Sequence, residues 1–222
     1  MLLLAVDTSG RDGGFALCRD GEILASQMVH VEKGFGPEIF VEIEKLLREA
    51  AVSYSDIEAY AAAAGPGSFT GVRVGLTAVK ALAEVNGKLI VPVSNLEAMA
   101  WAGEGELRAP VLDARRGEVY AAVYDGLMQP VELETAGPWS EFLERLGSAE
   151  AELISVEEGL FSEEGAAPPS PGDARTRRCV APLVAAVAGL GCERFAQGRA
   201  VEPERVEANY VRRPDAERNW KG

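Results

Sequence analysis

Residues 61–85 read AAAAGPGSFTGVRVGLTAVKALAEV. Ile57–Ala64 predicts a strand, and the glycines and proline after it break the chain. Ser68 stands where a helix cap is needed, and Phe69–Val85 carries helical spacing. The loop invites a phosphate-binding reading, and its spacing argues against one. A Walker loop ends in Gly-Lys-Ser/Thr, whereas Gly71 is followed by Val72 and Arg73. A dinucleotide fingerprint is GxGxxG, whereas Gly65, Gly67 and Gly71 give GxGxxxG. A helix N-terminus can still hold an anion.

The helix itself is more informative. At 100° per residue, Gly71, Gly75, Ala78 and Leu82 fall on one strip, and Arg73, Thr77, Lys80 and Glu84 on a roughly opposite one. With Val72, Leu76, Val79 and Ala83 on one flank and Val74, Ala81 and Val85 on the other, the apolar sector is about 220° wide. A single core needs about 100°, so the helix has two apolar neighbours. Both lie in this chain (its sheet and the helix Glu38–Ala50), or one belongs to another protein. Periodicity leaves both options open.

Outward from this stretch the elements repeat. Leu2–Thr8, Gly13–Arg19 and Glu22–Val29 read as strands, with Asp20-Gly21 as a hairpin turn. A helix over Glu38–Ala50 follows, entered through Pro37, then the strand, loop and helix quoted above, and a strand over Leu89–Val93. Asn95 is read as the cap of a short helix ending at Ala102. The second half reads as strands Ala109–Asp113, Glu118–Asp125 and Pro130–Thr135, a helix Trp139–Leu146 and a strand Glu152–Val156. A loop with Gly165–Gly172 then leads to a long helix, Arg175–Leu190. Three antiparallel strands, helix, strand, helix occurs twice. That is the layout of the actin-like ATPase (ASKHA) superfamily: an α/β fold of duplicated βββαβα lobes, with boundaries expected at 1–105 and 106–222.

Active members of that superfamily clamp magnesium and phosphate beside acids at the end of the first strand of each lobe. Asp7 and Asp113 hold those places. Asp7 is followed by Thr8-Ser9-Gly10, small enough to approach a phosphate, so Asp7, Thr8 and Ser9 are read as a vestigial phosphate turn. Asp113 is followed by Ala114-Arg115-Arg116, whose bulk alters the second clamp. The bland alternative is that both acids end strands and cap turns. The chain has 1 histidine, His30, and no HxxxH, HExxH or GxSxG pattern. No catalytic residue, metal ligand or cofactor is assigned.

The net charge of −13 disfavours direct contact with phosphate backbones. Arg175–Arg178 and Asn209-Tyr210-Val211-Arg212-Arg213-Pro214 are locally basic, which suits a solvated surface, an acidic partner or an RNA edge. The 3 cysteines form no CxxC, no apolar run reaches the ~20 residues of a membrane helix, and the start reads as a strand rather than a signal peptide. Reduced thiols in a cytoplasm are the expectation.

The motifs AVDTSG, AAAAGPGSFTGVRVGLTAVKALAE, PVSNLEAMA, DARRGEVYAAVY and NYVRR, spread over nearly the whole chain, resemble the TsaB (YeaZ) family. GPGSFTG followed by VRVG is the specific signature. The sequence departs from many relatives at His30-Val31, where they carry His-Ser. The resemblance implies a bacterial subunit of the machinery that makes N6-threonylcarbamoyladenosine next to the anticodon of tRNA. It implies a non-catalytic scaffold that dimerises with the catalytic subunit TsaD, works beside a TsaE-like ATPase, touches tRNA only indirectly and pairs with itself when alone. The paired metal-holding histidines of TsaD have no counterpart here. It also implies dimers built from Glu38–Ala50 and Phe69–Val85, which places Gly71, Val72, Gly75, Leu76, Ala78, Val79, Leu82, Ile39 and Ile43 near the contact. The competing expectation is a small ATPase or kinase using Asp7 and Thr8.

Overall fold

The computed structural model describes residues 1–32, 34–36, 38–168, 175–180 and 183–212. Pro37, Arg213, Pro214 and the end of the expected 165–172 loop lie outside them. Strands β1 (Leu2–Asp7), β2 (Asp12–Arg19) and β3 (Glu22–His30) form an antiparallel meander. Its tight turn is Asp20-Gly21, both at positive φ (53° and 93°), as the favoured two-residue hairpin requires. Helix α1 (Ile39–Glu49), strand β4 (Ala59–Ala63), helix α2 (Phe69–Asn86) and strand β5 (Ile90–Val93) complete a sheet of order β3-β2-β1-β4-β5, with β4 and β5 parallel to β1. A short helix, α3 (Asn95–Trp101), follows.

The second half repeats the plan. Strands β6 (Leu107–Arg115), β7 (Glu118–Asp125) and β8 (Pro130–Pro138), helix α4 (Trp139–Leu146), and strands β9 (Glu152–Ser155) and β10 (Arg177–Cys179) form a sheet of order β10-β9-β6-β7-β8, the first order read backwards. The duplicated actin-like architecture expected from the sequence is present. Two expectations about its second half are corrected. No helix among the described residues joins β9 to β10, and Arg177–Cys179, read as the start of a long helix, is an edge strand. The helix, α5 (Val184–Ala196), starts later and ends later than Arg175–Leu190.

The compact units do not divide at a single point near residue 105. One compact unit takes Met1–Ala98 and the described part of Pro182–Ala208; the other takes Met99–Ala181 and Asn209–Gly222 as far as these are described. Alternation along β1 explains the crossing. Leu2, Leu4 and Val6 join the core that holds α1 and α2, and Leu3 points to the opposite face, where Gly191 of α5 lies against it and Ala61. A buried central strand needs apolar cover on both faces. Helix α5, apolar on nearly every side, supplies the second cover. Burying Ile39, Ile43, Leu46 and Leu47 of α1 contributes about 1.5–3 kcal/mol per side chain.

The chain then runs along the edge of the first sheet, where Val201 exchanges two 2.9 Å backbone hydrogen bonds with Ile90. Val206 and Ala208 pack into the α1–α2 core, and Lys80 donates to the Val206 carbonyl at 3.0 Å. In the second unit Trp139, Phe142 and Leu146 of α4 cover Val111, Val119, Ala121 and Leu153. The Trp139 indole N–H is satisfied by the Pro168 carbonyl at 2.9 Å.

Candidate functional site

The turn after β1 and the start of α2 are built into one another. Ser9 donates to Asp7 Oδ1 twice, from its backbone N–H at 2.9 Å and from its hydroxyl at 2.6 Å. The Thr8 hydroxyl donates to the Gly71 carbonyl at 2.7 Å, and the Ser68 N–H donates to the Ser9 carbonyl at 2.7 Å. Ser68 caps α2 as the sequence predicts, accepting from the Gly71 N–H at 3.2 Å. A Cβ at Gly71 would collide with the Thr8 carbonyl oxygen, and one at Gly75 with the Thr8 hydroxyl. The glycines of α2 are therefore there because the helix lies directly on the β1–β2 turn. Asp7 is 3% exposed, and burial pushes its carboxyl above the ordinary carboxylate range against the two Ser9 hydrogen bonds.

The loop before α2 is held from below by Asn95. Its Oδ1 accepts from the Gly65 N–H at 3.3 Å and its Nδ2 donates to the Pro66 carbonyl at 2.9 Å. Asn95 was expected to cap α3. That cap is Ser94, whose carbonyl and hydroxyl accept from the Ala98 and Glu97 N–H groups. An asparagine after a serine is ambiguous between capping and reaching back to a distant loop, and only the tertiary fold separates the two.

The strip proposed for a partner lies inward. Val72, Gly75, Leu76, Ala78 and Val79 are buried, as are Ile39 and Ile43, while Gly71 and Leu82 are partly covered. The two apolar neighbours inferred for α2 are both intramolecular: its own sheet, and α1 together with the 201–208 segment. What α1 and α2 offer outward is a different set. Phe40 and Val41 are exposed on α1; Phe69 and Arg73 are exposed on α2, with the guanidinium 3.7 Å above the ring. Val85 is 85% exposed. The signal missed in the sequence was an aromatic in the first turn followed four residues later by arginine, which places both on one side of the helix.

The matching turn of the second half is built differently. Asp113 Oδ1 accepts from the Arg115 N–H at 2.7 Å, Oδ2 pairs with the Arg115 guanidinium at 3.0 Å, and the Asp113 N–H donates to Glu157 at 2.9 Å. Burial, with Asp113 adding to it, pushes the Glu157 carboxyl up, although the Asp113 N–H opposes the shift. Arg115 and Arg116 sit at positive φ (67° and 61°). The basic segments are tied to their own unit. Arg178 pairs with Glu152 at 2.5 Å and Glu104 at 2.7 Å, Arg212 with Glu118 at 2.7 Å, and Arg175 donates to the Ala149 carbonyl at 3.1 Å. His30 Nδ1 lies 2.6 Å from Asp12 at the surface. Among the described residues no three His, Cys, Asp or Glu side chains gather as metal ligands, and no helix is long and apolar enough to cross a membrane.

Residues 30–137 match the family model described as TsaD: tRNA N6-adenosine threonylcarbamoyltransferase. The tRNA threonylcarbamoyladenosine biosynthesis protein TsaB of Escherichia coli (strain K12) is 31% identical over 96% of this chain and 95% of its own length. The protein of the same name from Bacillus subtilis (strain 168) is 34% identical over 66% of each chain. Among solved structures, YeaZ from Pseudomonas aeruginosa superposes with a TM-score of 0.78 at 27% identity, covering 94% of this chain and 99% of that one.

Proposed function

The chain belongs to the TsaB family of tRNA threonylcarbamoyladenosine biosynthesis proteins, and from that premise we propose that it is the non-catalytic, activating subunit of the modification complex. It pairs with a TsaD-type catalytic subunit, works beside a TsaE-type ATPase in the cytoplasm, and meets tRNA only through the complex. Its contact with the catalytic subunit uses the outer sides of α1 and α2. The observation that carries this placement is the exposed apolar and aromatic side chains on the two helices: Phe40 and Val41 on α1, and on α2 Phe69, with Arg73 stacked on it. Such residues are enriched at the cores of protein interfaces. In the absence of its partner the same face pairs with a second copy.

The engagement of the Thr8 hydroxyl and both Ser9 donors inside the turn speaks for a structural Asp7 turn. A phosphate clamp needs such donors free to close on the anion. Basic groups paired with carboxylates of their own unit speak against direct tRNA binding. The test is a reconstitution from purified components with each omitted in turn. Threonylcarbamoyl transfer to tRNA is expected to require this chain together with the TsaD-type subunit, and this chain alone is expected to turn over no Mg–ATP. Turnover by the isolated chain that disappears in Asp7→Ala would overturn the non-catalytic assignment.

A further inference from the structure

Within the first unit, Cys18 of β2 and Cys192 of α5 are both buried and free, and their Sγ atoms lie 2.9 Å apart across a separation of 174 positions in the chain. Nothing else in the site described above uses them. A covalent S–S bond is about 2.05 Å long, so the sulfurs need close by only about 0.85 Å. The third cysteine, Cys179, is exposed on β10 in the other unit. We propose that Cys18 and Cys192 form a reversible disulfide that fastens α5 to the first sheet when the chain meets a low-molecular-weight disulfide.

The exchange balances in two steps. The Cys192 thiol gives its proton to solvent and its thiolate attacks the small disulfide, forming a mixed disulfide and releasing one small thiol. The Cys18 thiolate, its proton also lost to solvent, then attacks the Cys192 sulfur and releases the second small thiol. The two protein thiols lose two electrons, and the two released thiols carry them with both protons. Cys192 is the entry point, because it is 7% exposed while Cys18 is 0% exposed. It lies beside the hairpin turn, within reach of the Gly21 N–H. Burial, with Cys18 adding to it, pushes the Cys192 thiol up to about 12. Exchange in the closed protein is therefore slow and passes through local opening of that hairpin. In a reducing cytoplasm the pair rests as thiols.

What the bond does follows from its span. Helix α5 is the segment by which the end of the chain covers the sheet made by its beginning, and a cross-link closing so long a loop removes much of the freedom of the unfolded chain. The experiment is to unfold the full chain, refold it with oxidised and reduced glutathione, map the thiols by alkylation and mass spectrometry, and record thermal unfolding before and after reduction. We expect one intramolecular Cys18–Cys192 bridge with Cys179 alkylated. The midpoint should rise by about 5–10 °C, reversed by a phosphine. Cys179→Ala should keep the rise and Cys192→Ala should lose it. Glutathione adducts without a bridge, a bridge through Cys179, or a bridge with an unchanged or lower midpoint would overturn the proposal. The oxidised and reduced wild-type arms decide it even if a variant fails to fold.

Discussion

The two halves begin alike and part at the same place. Each opens with a strand that carries an aspartate at or near its end, Asp7 closing β1 and Asp113 two residues before the end of β6, and continues as an antiparallel meander. In the first half Asp7 is buried, and the turn after it is closed by the start of α2, with Thr8 bonded to Gly71. In the second half Asp113 is held by Arg115 and Glu157, and no described helix runs between β9 and β10. The difference teaches what small residues after the first acid are for in this chain. Thr8-Ser9-Gly10 leave room for a helix backbone to lie on the turn, and Gly71 and Gly75 answer from the other side. In the second half, where no described helix lies between β9 and β10, arginines occupy the turn, and the strain there is in their left-handed backbone rather than in contact with a helix.

The sharpest way to break this comparison is to fill the contact. Gly71→Ala sets a Cβ against the Thr8 carbonyl, which is backbone and cannot swing aside; a loss of about 3 kcal/mol in denaturant unfolding is expected. Gly75→Ala meets only the Thr8 hydroxyl and should cost about 1–2 kcal/mol, with Thr8→Ala recovering part of it in a double-mutant cycle. Equal costs at the two positions, or none, would mean that α2 does not rest on the turn.

A smaller effect comes from the buried acid. The folded Asp7 carboxyl is raised above the value of 3.8 it has in an unfolded chain. Its neutral form is therefore favoured by folding. That contribution is complete below about pH 4 and is lost as the pH rises through the folded value. Asp7→Asn keeps an oxygen for both Ser9 donors and never charges. It should match the wild type near pH 4 and exceed it in stability at pH 7–8, as read from urea midpoints across pH. A variant less stable at pH 8 than at pH 4, relative to wild type, would show that the charge is wanted. The smallest change is expected on the other side of the comparison: Arg115→Ala, with its side chain 82% exposed, should move stability by less than about 0.5 kcal/mol.

Much of this was legible beforehand. The Asp20-Gly21 hairpin, the Ser68 cap and the bounds of Glu118–Asp125 and Trp139–Leu146 follow from local turn chemistry and periodicity, and local signals survive folding. The destination of α5 was not legible, because a helix apolar on nearly all sides announces that it is buried and not which sheet buries it. The direction of the α2 strip was not legible for the same reason: its width counts two neighbours, and the helix over Glu38–Ala50 and another protein satisfy that count equally, while the part played by the 201–208 segment leaves no local signal. The purpose of Gly71 was hidden as well, since it is visible only against a carbonyl 63 positions away.

Helix α2 has an inner side that holds this chain together and, under the proposed function, an outer side that meets a partner. The direct measurement is a titration of a TsaD-type subunit with wild type, Phe69→Ala and Gly75→Ala, each with its own thermal midpoint. The expected result is an affinity lowered about 10-fold or more for Phe69→Ala at an unchanged midpoint. Gly75→Ala should show a lowered midpoint and, below it, nearly wild-type affinity. The reverse pattern, with Gly75→Ala abolishing binding in a protein as stable as wild type and Phe69→Ala binding normally, would contradict this division of α2.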